Sequence, residues 1–190
     1  AVEVFNPVIG KYSLIPLAGP ANKQARIVAD NILEGNIYKY TGTIGTSIAK
    51  VFDITVAATG ASSKLLDREN IAHLSSFTHG NSHAGYYPNA LPLSIKINFS
   101  PVDGKLLGAQ IVGFDGVDKR IDLFAQVIKK GGTIYDLMEI EHAYAPPYSS
   151  AKDPVNMVGF VADNILKNKV KVIQWRELDK LSKDEISVID

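Results

Sequence analysis

The sequence predicts an α+β domain, an antiparallel sheet with helices over one face. Three observations carry that expectation. Strand-like segments follow one another through tight turns, as where Val102-Asp-Gly-Lys105 joins the alternating residues 93–99 to the apolar residues 106–114. Helical periodicity is kept mainly to the flanks, before residue 35 and after residue 116, with one short helix between. Strands segregated from helices in this way favour an antiparallel sheet over a parallel one. Finally, 190 residues with 46% hydrophobic and 21% charged side chains fit one globular domain, or one domain with appendages.

Taken in order, residues 1–20 read as extended and loop-like, punctuated by Pro7, Gly10, Pro16, Gly19 and Pro20. Asn22 is placed to cap a helix through about residue 33, with Ile27, Val28, Ile32 and Leu33 as its apolar face and Glu34-Gly35-Asn36 as its stop. Residues 46–58 are β-branched and apolar, one bent strand or two strands about Phe52-Asp53. A short helix from Ser63 to about Asn70 leads to a strand near residues 77–83 and a turn at Tyr86-Tyr87-Pro88-Asn89. Beyond the hairpin, a helix over residues 117–130 turns Ile121, Leu123, Phe124 and Ile128 toward the core, and Gly131-Gly132 stops it. Thr133 to Met138 reads as a helical turn or a strand.

Residues 142–154 stand out. Adjacent Pro146 and Pro147 exclude helix over residues 144–148 and predict a stiff, extended strap that presents Tyr144 and Tyr148. Asp153-Pro154 then reads as an N-cap followed by proline at the first helical position. The helix it opens runs to about residue 168, with Val158, Val161, Ile165 and Leu166 apolar. Residues 169–175 alternate weakly, and residues 176–185 are charged, as in a linker or a short surface helix.

Composition narrows the function. Twenty basic and twenty acidic residues cancel, which argues against nucleic acid or an anionic membrane as the main partner. No run of 18 apolar residues suggests a membrane span, and the opening residues lack the basic start of a signal peptide. Without cysteine, the chain contains no disulfide, thiolate metal site or thiol nucleophile, in keeping with a cytoplasmic setting. His79 and His83 share a strand face but lack a third ligand, so no metal site is expected. Gly113-Phe-Asp-Gly116 and Gly131-Gly132 match no phosphate loop, and Ser149-Ser150 lacks the context of a serine nucleophile. Asp115, Asp118 and Asp122 gather at a helix start, where acids suit the dipole. What remains is two tyrosine segments, Tyr86-Tyr87 and Tyr144 with Tyr148, and no complete catalytic set. Both ends read as those of a fragment: the chain opens without Met inside an apolar run and closes on Ile186-Ser-Val-Ile-Asp190, a strand beginning.

Residues 16–31, Pro-Leu-Ala-Gly-Pro-Ala-Asn-Lys-Gln-Ala-Arg-Ile-Val-Ala-Asp-Asn, resemble the helix entering the flavin site of the pyridine-nucleotide disulfide oxidoreductases. Residues 46–60, Asn81-Ser-His-Ala-Gly-Tyr-Tyr-Pro88, and residues 108–122 and 143–156 resemble, in order, the C-terminal dimerisation domain of that family. The likeness is to its coenzyme A-disulfide reductase branch, with related NADH oxidases and persulfide reductases, and covers about residues 1–178. Residues 181–190 are similar to the start of a rhodanese domain, which some members carry.

The resemblance implies three segments: residues 1–42 as the end of an FAD-binding domain, 43–170 as the dimerisation domain, and 171–190 as a linker and the start of a truncated rhodanese-like domain. It implies a homodimer in which the dimerisation domain of one subunit completes the other's active site. FAD, NAD(P)H and a nucleophilic cysteine would belong to the rest of the parent, and a CoA disulfide or persulfide would be the substrate. Tyr86 and Tyr144 would be the tyrosines given to the partner, with Tyr87 and Tyr148 as competing neighbours. A phenol with a pKa of about 10 stays neutral and can donate a hydrogen bond to a CoA thiolate. Ala18, Gly19 and Ala21 would stand at the start of the first helix against the flavin ring, where a helix N-terminus suits developing negative charge. The helices over residues 117–130 and 154–168 would supply the subunit interface. Alone, the fragment is expected to be dimeric, inactive and without bound cofactor. Two rival readings share the domain: an NADH oxidase or peroxidase parent that does not need the tyrosines, and a free-standing, non-enzymatic dimerisation module.

Overall fold

The computed structural model describes residues 3–178. Strands β1 (Glu3–Asn6) and β2 (Lys11–Leu14) form a hairpin ahead of helix α1 (Ala18–Glu34). There follow β3 (Ser47–Val51), β4 (Ile54–Gly60), α2 (Ser63–Arg68), β5 (Leu74–Asn81), β6 (Pro92–Phe99) and β7 (Leu106–Gly113). The chain continues through α3 (Val117–Lys129), α4 (Ile134–Glu139), α5 (Pro154–Leu166) and the short α6 (Trp175–Leu178). Strands β3 to β7 build one antiparallel sheet in the order β3-β4-β7-β6-β5. Helix α3 lies on β4 and β7, α5 lies on β5 and β6, and α4 packs against α5. This is the expected α+β class.

The alternation in β6 explains the layering. Leu93, Ile95 and Ile97 are buried on the helix side, while Ser94 and Lys96 point to the other face. Ile95 stands opposite Ile111 of β7, and Ile97 opposite Ala109. Ile121 and Phe124 of α3, Leu137 of α4 and Val155 and Val158 of α5 close over them. Each such side chain stabilises the fold by about 1.5–3 kcal/mol through burial. Where the chain leaves β4 it crosses β7 at glycines. A Cβ on Gly108 would lie 2.0 Å from the Ala61 carbonyl oxygen, so no other residue fits there.

Several boundaries differ from expectation for local reasons. Helix α1 starts at Ala18, not beyond Asn22, because Leu17 is extended (φ −116°, ψ 147°) and Pro20 sits in the first turn, where its missing N–H costs nothing. Residues 3–14 form a hairpin whose four-residue strands are too short to show a period. The segment over residues 46–58 resolves into two strands, with Phe52 at the corner in left-handed conformation (φ 53°). Residues 134–139 are helical because Thr133 and Asp136 form a capping box.

The strap is not extended throughout. The Tyr148 N–H donates to the Ala145 carbonyl at 2.9 Å and closes a turn, since the φ that proline fixes is also that of a turn corner. Asp153 caps α5 as expected, accepting from the Val155 N–H. Among the described residues, no helix is long and apolar enough to cross a membrane. The rhodanese-like stretch read over residues 181–190 lies outside the described residues.

Candidate functional site

The Tyr86 segment is a loop between β5 and β6 whose base is closed by two hydrogen bonds. The Ser82 N–H donates to the Leu91 carbonyl at 2.8 Å, and the Leu91 N–H to the Ser82 hydroxyl at 3.2 Å. The loop is tied to the strap by the Ala84 N–H, which donates to the Ser149 carbonyl at 2.9 Å. This geometry separates the competing tyrosines. Tyr87 meets the buried His83 ring edge-on, with centroids 5.7 Å apart. Tyr86 instead turns to the strap, and its hydroxyl lies 3.0 Å from that of Tyr144. Tyr148 takes part differently: its side chain is exposed, and its backbone carbonyl accepts from Lys119 Nζ.

The paired phenols sit at the surface, Tyr86 77% and Tyr144 48% exposed. The hydrogen bond that Tyr86 shares with Tyr144, with some desolvation, holds the Tyr86 hydroxyl above its ordinary value by favouring its neutral form, so it keeps its proton at neutral pH. Two hydroxyls that share one hydrogen bond retain a second proton to give to an incoming acceptor. At the strap, burial lowers the Lys119 ammonium, with the Arg120 charge adding to the effect and nearby aspartates opposing it. Burial likewise lowers His142 and favours its neutral form, against the pull of Asp153. The arrangement is a hydrogen-bond donor suited to an anion or a strongly polarised acceptor. His79 and His83 do not act together: His79 Nδ1 lies 2.8 Å from the Ser94 hydroxyl, and His83 serves Tyr87 and the Ala84 carbonyl.

Ala18, Gly19 and Ala21 stand at the exposed start of α1, as the resemblance implies. Leu17 gives no side-chain cap, and Ala21 is the first residue of the helix whose N–H finds a backbone acceptor. A Cβ at Gly19 would meet nothing within 4 Å. Gly19 and Pro20 border a cleft of about 360 Å³, shared with residues 40–44 and with Gln126 and Lys129 of α3, whereas Ala18 and Ala21 border a separate hollow with Ile15 and Gln24. Free amides, small side chains and open space fit the electron-rich edge of a flat ring system. This end and the tyrosine pair are not brought together. The first borders α3 at Lys129, while the strap that carries Tyr144 meets α3 at Lys119 through the Tyr148 carbonyl, about 15 Å away along the helix at about 1.5 Å per residue.

One group escaped the sequence reading. Arg120 and Asp153 are fully buried and joined by three hydrogen bonds of 2.7–3.2 Å. The available signal was position: Arg120 falls on the stripe of Val117, Ile121 and Phe124, facing the core.

The fold is an α+β domain, one antiparallel sheet under helices, whose surface carries a hydrogen-bonded pair of phenols. Residues 46–154 match the family described as pyridine nucleotide-disulphide oxidoreductase, dimerisation domain, and the chain belongs to that family. Among curated relatives, a coenzyme A disulfide reductase of Staphylococcus epidermidis is 37% identical over 148 residues, 78% of this chain and 33% of that protein. Among solved structures, the reduced CoADR-RHD of Bacillus anthracis superposes with a TM-score of 0.90 at 53% identity, covering 95% of this chain and 32% of that one. An NAD-dependent persulfide reductase from A. fulgidus gives a TM-score of 0.84 at 36% identity, over 88% of this chain and 31% of its own. The chain thus spans about a third of the length of these relatives.

Proposed function

We propose that this chain is the dimerisation portion of a longer flavoenzyme that uses NAD(P)H to reduce CoA disulfide or a CoA persulfide. In this reading, residues 1–42 end an FAD-binding domain, 43–170 form the dimerisation domain, and 171–190 lead into a rhodanese-like domain. The observation that carries the reading is the 3.0 Å contact between Tyr86 and Tyr144, brought together from 58 residues apart in sequence. Bound FAD and NAD(P)H would supply two electrons to the disulfide. A nucleophilic cysteine in the rest of the parent would attack the S–S bond and form a mixed disulfide with one sulfur. The other sulfur leaves as a CoA thiolate that a neutral phenol stabilises by donating a hydrogen bond. The two electrons would then free the cysteine and release the retained sulfur as a second thiolate. A hydrogen bond to a charged group is worth about 1.5–3 kcal/mol, or about 10- to 150-fold in rate if realised in the transition state.

Ala18, Gly19 and Ala21 would hold the flavin edge of their own subunit. The tyrosine pair would serve the partner subunit of a homodimer. An obligate interface of this kind should bury more than about 2,000 Å² in total. Light scattering should therefore find a dimer at micromolar concentration, and a monomer would end the homodimer assignment.

The test of the activity is anaerobic NAD(P)H oxidation by the full-length protein, with and without CoA disulfide. Turnover that requires CoA disulfide supports the reading. Turnover that occurs only in air makes the parent an oxidase, and no turnover in either condition leaves a non-enzymatic module.

A further inference from the structure

We propose that Arg120, Asp153 and Ser149 form a buried clamp that fixes the Tyr86 loop against the Tyr144 strap, making them positioning residues for the reaction assigned to the phenol pair. This rests on the reading of that pair given above.

The clamp is a closed circuit of hydrogen bonds. Arg120 Nη2 donates to the Ser82 carbonyl at 2.8 Å, at the base of the Tyr86 loop. Its Nε and Nη2 also hold the two Asp153 oxygens, at 2.9 Å and 2.7 Å. Asp153 Oδ2 accepts the Ser149 hydroxyl at 2.6 Å, and the Ser149 carbonyl accepts the Ala84 N–H at 2.9 Å. The circuit thus starts and ends in the loop that carries Tyr86, and passes through the strap five residues after Tyr144. Arg120 Nη1 adds a bond to the Gly116 carbonyl at 2.9 Å, which fixes the start of α3 to the same point. A Cβ at Gly116, itself left-handed at φ 67°, would come within 2.4 Å of Arg120 Nη1, so glycine makes room for the guanidinium.

Stability alone does not explain this device. Desolvating two charges offsets most of their attraction, and well-packed apolar residues of similar volume are often as stable. What an apolar core cannot supply is a planar fork that sets three backbone segments at fixed separations. The tyrosines need that, because both are substantially exposed and their contact depends on where the two loops are held. Lysine cannot reproduce the fork, since its donors diverge from a single nitrogen.

The test uses the full-length flavoenzyme. Asp153→Asn keeps a helix-capping oxygen and the side-chain shape but removes the charge that holds the guanidinium. It is expected to lower kcat with CoA disulfide about tenfold, with flavin content, dimerisation and KM for NAD(P)H unchanged. Ser149→Ala, the milder variant should Asp153→Asn fold poorly, is expected to lower kcat about threefold, and Arg120→Lys should not preserve activity. The deciding comparison repeats Asp153→Asn or Ser149→Ala in a Tyr144→Phe background. A further loss of less than about twofold there shows that the clamp acts through the phenols. An equal loss in both backgrounds, or none in either, overturns the proposal. If Tyr144→Phe itself leaves disulfide turnover intact, the functional reading of the pair has failed. The clamp is then judged by titrating ¹³C-labelled tyrosine: a Tyr86 hydroxyl that returns to its ordinary value in Asp153→Asn supports positioning, and one that stays raised overturns it.

Discussion

Helices α1 and α5 both carry apolar residues at helical spacing, yet they meet different surroundings. In α5, Val155, Val158, Ala162 and Ile165 are buried against the sheet and α4. In α1 no residue is buried, and Ile32 and Leu33 stand 77% and 85% exposed. The sheet from β3 to β7, with α3 to α5, closes its own core. The amphipathic face of α1 instead suits a surface outside residues 3–178, which under the proposed function is the remainder of an FAD-binding domain. An exposed apolar patch of this kind marks a site of contact more often than a defect.

The contrast can be broken or sharpened by substitution. Phe124→Ala in α3 should destabilise this chain by about 3–5 kcal/mol in denaturant unfolding, as expected for a large core side chain. Asp153→Ala should cost a similar 3–5 kcal/mol, because it leaves Arg120 charged and buried without its partner. Ile32→Ala should change stability by no more than about 0.5 kcal/mol, as for an uninvolved surface site. A loss above about 1 kcal/mol at Ile32 would show that α1 packs within this chain and would erase the difference between the two helices.

Acid should separate the regions further. Burial pushes the Asp153 carboxyl up, but the hydrogen bonds and charge of Arg120, with the donations of Ser149 and Val155, hold it below the usual carboxylate range. A depressed folded value means that the unfolded chain binds the proton first. The stabilisation is therefore present above the unfolded value of about 3.9 and is lost as pH falls through the folded one. Urea midpoints between pH 5 and pH 2 should fall more steeply for the wild type than for Asp153→Asn; parallel curves would contradict the assignment. The smallest expected effect is on the phenols. In spectrophotometric titration, Tyr86 should ionise above its ordinary value of about 10, and Tyr144→Phe should return it there.

Legibility follows whether a feature is local. Asp153-Pro154 announces α5 because a cap and a first-turn proline need only their neighbours. The alternation of residues 93–99 announces β6 because one face is core. Asn22 misled because a good capping residue also occurs inside helices, and the actual start at Leu17 carries no capping side chain. The proline strap and the Tyr86-Tyr87 turn mark two tyrosine segments in the sequence, and resemblance to a family pattern selects Tyr86 and Tyr144 within them. No period or spacing relates residues that meet through two loops across the tertiary fold. Arg120 is hard to read from sequence because an arginine in an amphipathic helix normally lies on the solvated face. Only its partner 33 residues later makes burial tolerable.

The most direct test of the central claim is anaerobic reduction of CoA disulfide by the full-length protein carrying Tyr144→Phe, compared with the wild type at matched flavin content. Loss of the phenol hydrogen should lower turnover about 10- to 150-fold, the worth of one hydrogen bond to a developing thiolate. Unchanged turnover would contradict the claim and return the Tyr86–Tyr144 contact to loop packing.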